Sequence, residues 1–206
     1  QGAWLSFPEH HTGGLKESFH YCRVMHPKDF TVMRSALFAA TLALALSPDP
    51  SIASPSAADW NQFRGPDGSG VVVDCKPPIE IGASNLAWKT AVPPGLSSPV
   101  LAGDRLFLTA VEKGRLLTIA IDRRTGRELW RRATPKVPIQ KVHKANTPAS
   151  PSALVDGQNV YVYFGSYGLL AYRHDGTEVW KKPLPTPRSL YGASTSPIAY
   201  RNLLIL

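Results

Sequence analysis

An all-β fold of small, repeated, four-stranded antiparallel sheets is what this sequence predicts, and three observations predict it. Trp88, Trp130 and Trp180 recur at intervals of 42 and 50 residues. Three serine-proline openings, "SSPV" at Ser97, "ASPS" at Ala149 and "TSPI" at Thr195, recur in step with them. Between these markers lie short alternating runs of aliphatic, β-branched and aromatic residues, bounded by Gly, Asp and Asn, which is the pattern of hairpins. A β-rich period of about 40–50 residues is the pattern of propeller blades. The sequence therefore predicts a partial β-propeller.

Each unit divides into four strands. In the first, residues 99–102 lead through "GDR" into "LFLTAV" at 106–111, and "EKGR" turns the chain into "LLTIAI" at 116–121. The segment "DRRTG" then returns it into "RELWRRA". The second unit repeats the plan: residues 152–155, the turn "DGQN", the strand "VYVYF", the turn "GSYG", the strand "LLAYR", the turn "HDGT" and the strand "EVWKK". A third unit opens at Thr195, and "NLLIL" falls inside its second strand.

The near-repetition of "DRRTGRELW" as "HDGTEVW" has an architectural explanation. Asp122 and Asp175 open turns whose downstream amides their carboxylates can accept, and Gly126 and Gly176 supply the positive φ that such turns need. Trp130 and Trp180 follow in the outermost strand. There each can bury an apolar face against the neighbouring blade while its indole N–H finds a carbonyl. These residues are expected to hold blades together, and no catalytic role is assigned to either Asp.

"AIDRRTGRELWRR" resembles the repeat of pyrroloquinoline-quinone-type β-propellers, Ala-x-Asp-x-x-Thr-Gly-x-x-x-Trp, and "ADWNQFRGPDGSGV" at 58–71 resembles the entry segment of their exported bacterial members. Arg64 in that segment is equally readable as a salt-bridge partner pinning the entry strand. The resemblance runs from Ala58 to the end and implies a ring of seven or eight blades. Residues 59–206 number 148, room for about three blades, so the chain is expected to be the N-terminal part of a longer propeller. The repeat is shared by enzymes and by non-catalytic scaffolds, so it implies fold more strongly than activity.

Ahead of the propeller, Met33-Arg34 and the apolar run "ALFAATLALAL" at 36–46 precede Pro48, Pro50 and two small-residue cleavage options, ending at Ala53 and Ala58. This order is that of a secretory signal peptide too short to span a bilayer, with the cut placed after Ala58. Residues 1–32 read as upstream sequence without a fold of its own, 33–58 as the signal peptide and 59–206 as the propeller. His10, His11, His20, Cys22 and His26 suggest zinc ligands, but no second Cys pair supports them. Only Cys75 remains beyond the cut, so that part closes no internal disulfide and has no cysteine for lipid attachment at the cleavage site. The product is expected in the periplasm or outside the cell, without a membrane span and monomeric at full length.

The chain carries a formal net charge of +8, and from Asp59 onward Lys and Arg number 19 against 11 Asp and Glu. Export makes nucleic acid an unexpected partner. In a four-stranded meander, the blade-to-blade links and the turn between the second and third strands share one rim. Two of the three links are long, "TPKVPIQKVHKANTP" and "PLPTPRSLYGAST". They place Lys141, His143, Lys144, Asn146, Arg188 and Tyr191 on that rim, with Tyr167 of "GSYG" beside them. Such loops are either a cationic, aromatic-edged surface for an anionic ligand or extended peptide, or solvated connections that their prolines stiffen. No catalytic residue, metal ligand or cofactor is assigned: His143 has no carboxylate partner near it in sequence.

Two functions follow from the resemblance. One is an exported, non-catalytic scaffold for envelope proteins, similar to the outer-membrane-assembly propellers, which are typically lipoproteins whereas this chain lacks the acylatable Cys. The other is a quinoprotein dehydrogenase that oxidises alcohols or sugars with pyrroloquinoline quinone and calcium. That second function implies a calcium-ligating carboxylate and amide, a catalytic Asp and, in many members, adjacent cysteines. Cys22 and Cys75 are not adjacent. The scaffold is the expected function.

Overall fold

The computed structural model describes Val24–Met25 and residues 59–72, 78–80 and 82–206. The expected signal peptide, its cleavage sites, both cysteines and the leader's histidines lie outside the described residues. Strand β1 is Val24–Met25, and β2 (Val100–Ala102), β3 (Arg105–Glu112), β4 (Arg115–Asp122) and β5 (Glu128–Ala133) form one antiparallel sheet in sequence order. A second sheet of the same order contains β6 (Leu154–Val155), β7 (Asn159–Phe164), β8 (Gly168–Arg173) and β9 (Glu178–Pro183). The third is three-stranded: the hairpin β10 (Ile198–Tyr200) and β11 (Leu203–Ile205), with β1 against β11. Two blades are therefore complete and a third is begun, and the expected all-β partial propeller is the fold.

Turn chemistry closes the hairpins. Glu112 pairs with Arg115 across Lys113 and Gly114, both at positive φ, the backbone that matches the right-handed twist of two strands. Alternation then sends side chains to two opposite faces. Phe107, Leu116 and Ala120 point from the first blade into one core, where they meet Val160, Val162, Phe164, Leu170 and Tyr172 of the second. Leu108, Ala110, Leu117, Ile119 and Ile121 point the other way, onto Trp88. Tyr163 and Leu169 cover the outer flank of the second blade beneath Trp180, Leu204 and Leu206. The sheets of the two complete blades are buried on both faces, so neither blade has a core of its own, and burying one such leucine contributes about 1.5–3 kcal/mol.

The outermost strands carry a bulge at the same place. Ala120 pairs with Trp130 but Ile121 pairs with Glu128, and likewise Ala171 pairs with Trp180 while Tyr172 pairs with Glu178. Leu129 and Val179 are the extra residues. The bulge bends the strand and re-aims the following side chain, which turns the tryptophan onto the next blade.

One register differs from expectation. Val100 pairs with Phe107, Leu154 with Tyr161 and Ile198 with Ile205, the same step in each hairpin. Counting back two residues aligns Ser98, Ser152 and Ser196. The Ser150-Pro151 pair, expected to be the counterpart of Ser98-Pro99, lies two residues too early. The true equivalents bond in series: the Ser98 amide donates to Ser152 Oγ at 2.8 Å and the Ser152 amide to Ser196 Oγ at 2.9 Å.

Candidate functional site

Two rims result from this topology. On one lie the short turns after β2 and β4 and their counterparts after β6 and β8. On this rim the repeated motif does its work. Asp122 Oδ1 accepts the amides of Arg124 and Thr125 and the Thr125 hydroxyl, and Asp175 Oδ1 accepts the Thr177 amide. These bonds hold both carboxyls below the usual carboxylate range, Asp122 chiefly through Thr125 and Asp175 through Thr177, because donors favour the charged form. Each neighbouring tryptophan then caps the turn. Trp88 Nε1 donates to Arg123 O at 2.8 Å, and Trp130 Nε1 donates to His174 O at 2.9 Å. A second donor one turn along repeats too: Thr90 Oγ1 donates to Gly126 O, and Arg132 Nε to Gly176 O at 2.8 Å. Trp130 is 8% exposed. Asp122, Gly126, Trp130, Asp175 and Gly176 are thus placed as structural parts. Trp180 is half-buried against Tyr163 and Leu169, with the Tyr161 ring 6.0 Å away.

The opposite rim holds the long links, residues 134–153 and 184–197, with the turns after β3 and β7. Hydrogen bonds tie them to the blades: Arg115 Nη2 donates to Thr134 O, the Gln140 amide to Ser166 Oγ and the Leu184 amide to Tyr167 O. The two links also hold each other. The rings of His143 and Tyr191 lie 4.8 Å apart, and Asn146 Nδ2 donates to Tyr191 O at 2.7 Å. Asn146 further accepts the Ser150 hydroxyl and the Thr147 amide on Oδ1, and its own amide donates to His143 O. Gly192 sits against Val142 and Asn146, where a Cβ would stand 2.5 Å from Val142 Cγ1.

His143, Asn146 and Tyr191, three of the residues singled out in the sequence, therefore meet. Lys141, Lys144 and Arg188 are exposed on the same links. Tyr167 does not join them. It is 5% exposed and packs in the core between the two blades, and its phenol is pushed up by burial. The turn is only three residues long, with Phe164 pairing to Gly168, and its third residue points inward. A shallow depression lies between the links, lined in part by Gln140, Gly165, Ser166 and Ala193.

Sequence reasoning missed the side chains that cross between blades. Thr109 Oγ1 reaches Pro151 O at 3.0 Å, and the Thr109 amide donates to Ser97 Oγ at 2.9 Å. The entry segment also bridges. Trp60 exchanges both main-chain bonds with Leu101, Val155 donates to Asn61 O and Gly103 donates to Asp59 Oδ1. Arg64 bonds Ser69 O within its own loop, and it forms no ion pair among the described residues.

The rim does not make a seat for quinone and calcium from the described residues. Its five segments contain no Asp or Glu to ligate a divalent cation, and among the described residues no group of three His, Cys, Asp or Glu converges on a metal position. The depression encloses no volume approaching the roughly 300 Å³ at which small-molecule pockets begin. No described helix is long and apolar enough to cross a membrane.

Among solved structures, a europium-containing methanol dehydrogenase matches with 19% identity and a TM-score of 0.25, over 47% of this chain and 26% of the other. The chain thus spans about a quarter of that protein. No curated protein matches. A family model of pyrroloquinoline-quinone-like repeats, described as outer membrane protein assembly factor BamB, matches residues 80–202, which include every strand of both complete blades. On its repeats, its latched turns and that match, the chain belongs to the BamB-type family of pyrroloquinoline-quinone-like β-propellers.

Proposed function

We propose that this chain is exported by its signal peptide and serves, without catalysis, as a binding or assembly scaffold for proteins of the bacterial envelope. The observation that carries this reading is the rim of long links. Two connections, stiffened by Pro135, Pro138, Pro185 and Pro187 and locked together at Asn146 and Tyr191, stand on a two-blade core. Leu190 and Tyr191 are 81% and 59% exposed there. A preformed, partly apolar surface without a pocket suits an extended protein segment, which brings main-chain hydrogen bonds as well as side chains. The family's description as an outer membrane protein assembly factor supports the same role.

Two measurements test it. Purified full-length protein supplied with pyrroloquinoline quinone and calcium is expected to give no dye-linked oxidation of alcohols or sugars. A photo-crosslinker at Leu190 is expected to trap a defined envelope protein in living cells, while one at the exposed Gly157 on the other rim does not. Reconstituted turnover, or identical adduct patterns from both positions, overturns the scaffold.

A further inference from the structure

The two rims differ in charge. The link-bearing rim is built from residues 91–99, 113–114, 134–153, 165–167 and 184–197, and these carry Lys113, Lys136, Lys141, Lys144 and Arg188 with no Asp or Glu. The opposite rim, residues 103–104, 123–127, 156–158, 174–177 and 201–202, mixes Arg123, Arg124, Arg127 and Arg201 with Asp104, Asp156 and Asp175. Ion pairs among the described residues are made by strand residues: Arg131 of β5 bonds Glu128 of its own strand and Glu112 at the end of β3, beside Lys113, and Lys181 bonds Glu178. The five cations of the link-bearing rim are all exposed and belong to none of these pairs.

A one-signed surface is a statement about its partner. Like charges gathered on one face repel one another, and the cost is offset only where a complementary face arrives. The main chain says what kind of partner. Residues 135–139 and 185–190 pair with no strand, and apart from the prolines, which have no N–H, the exposed Lys136, Thr186, Arg188, Ser189 and Leu190 hold peptide groups outside any sheet beside Tyr191. A lipid headgroup or a nucleic-acid phosphate supplies acceptors for the cations, but neither presents the regular run of N–H and C=O groups that an extended chain does. An extended polypeptide with acidic and apolar residues in alternation matches all three features.

We infer that the link-bearing rim is a docking surface for acidic, extended segments of other proteins, read by Lys136, Lys141, Lys144 and Arg188 around the Leu190–Tyr191 apolar centre. This rests on the scaffold reading and specifies its partner class.

The test uses the full-length protein and a labelled peptide of about a dozen residues alternating Glu with Leu and Phe. Its controls are the same peptide with Lys for Glu, and vesicles of phosphatidylglycerol and phosphatidylethanolamine. The acidic peptide is expected to bind, and its affinity to fall roughly tenfold or more in the K141E/K144E/R188E variant, because reversal converts attraction into repulsion. The reversal R123E/R124E on the opposite rim is expected to change it less than about twofold, and salt at about 0.5 M to weaken it in wild type. Unchanged thermal unfolding shows that both variants fold. Equal binding of the acidic and basic peptides, equal losses in the two variants, or binding of vesicles without binding of peptide overturns the acidic preference. Persistence of the Leu190 adduct in the K141E/K144E/R188E variant then shows that the scaffold stands without that preference, and loss of the adduct from wild type removes the scaffold itself.

Discussion

Trp130 of the first blade lies across Gly176 of the second, so closely that a Cβ at Gly176 would stand 2.8 Å from the indole Cδ2. The same relation joins Trp88 and Gly126, where the Cβ would stand 2.5 Å from Cε3. Both glycines also sit at positive φ, 71° at Gly126 and 88° at Gly176. Gly176→Ala and Gly126→Ala are therefore expected to cost about 2–4 kcal/mol each, from backbone strain plus the displaced ring. Gly157→Ala, at a turn with nothing within 4 Å of the new methyl, is expected to cost less than about 1 kcal/mol. Denaturant unfolding of the three variants measures the difference.

Replacing Trp130 by Phe keeps an aromatic ring over Gly176 but removes the donor to His174 O. That carbonyl loses its indole partner, and the expected loss is about 1–3 kcal/mol. Arg132, which bonds Gly176 O two residues along the same turn, is expected to couple to it, so the double variant with Arg132→Ala departs from additivity. Thermal melts of the four-member cycle read this coupling.

Ser152 carries a link of the serine series on its hydroxyl. Ser152→Ala leaves the Ser98 amide without its acceptor, at a site where Ser152 itself is 1% exposed. The expected cost is about 1–3 kcal/mol. Ser150→Ala, two residues earlier, leaves that series intact, and its effect is expected to be confined to hydrogen-exchange protection around Asn146 and Thr147, which it bonds. Reversal of this ranking would contradict the strand register.

Two groups of side chains give the stability curve its limbs. Asp122 and Asp175 have folded values below the ordinary 3.8, so their contribution is present above that pH and is lost as pH falls through the folded values. Asn at both positions still bonds the turn amides, and the double variant is expected to lose stability less steeply below about pH 4. At the alkaline end, burial first and the bond to Asp156 second push Tyr161 up to about 12. Its contribution is complete below the ordinary 10 and is lost as pH rises from 10 to about 12. Tyr161→Phe is expected to flatten that limb in part, since Tyr172, also raised to about 12 by burial, remains.

Most of this fold was legible because strand and turn signals are local. Alternation at 106–111 and 169–173, with Gly126 and Gly176 in the turns, marks strands that match the structure to within a residue or two. The purpose of the repeated tryptophan was legible as well, since a large ring with one donor in an outer strand has few ways to be satisfied. What was not legible crosses between repeats. Thr109 and Ser152 look like ordinary polar residues, and only the stacking of sheets shows that each answers an amide or carbonyl more than 40 residues away. The Ser150-Pro151 pair misled because a dipeptide match is blind to strand register. Tyr167 misled because a turn's place on the rim does not say which way its last side chain points. Trp88 marks the same period, yet residues 86–92 pair with no strand among the described residues, although its indole is held as Trp130's is.

The latch between the two complete blades has its ring, Trp130, on one and its glycine seat, Gly176, on the next, so neither repeat contains a finished joint. Duplicating one repeat of the gene would therefore copy both halves at once, a ring for the following neighbour and a seat for the preceding one. The enlarged chain would be born with matching couplings, and this architecture can lengthen by whole vanes without inventing a new contact.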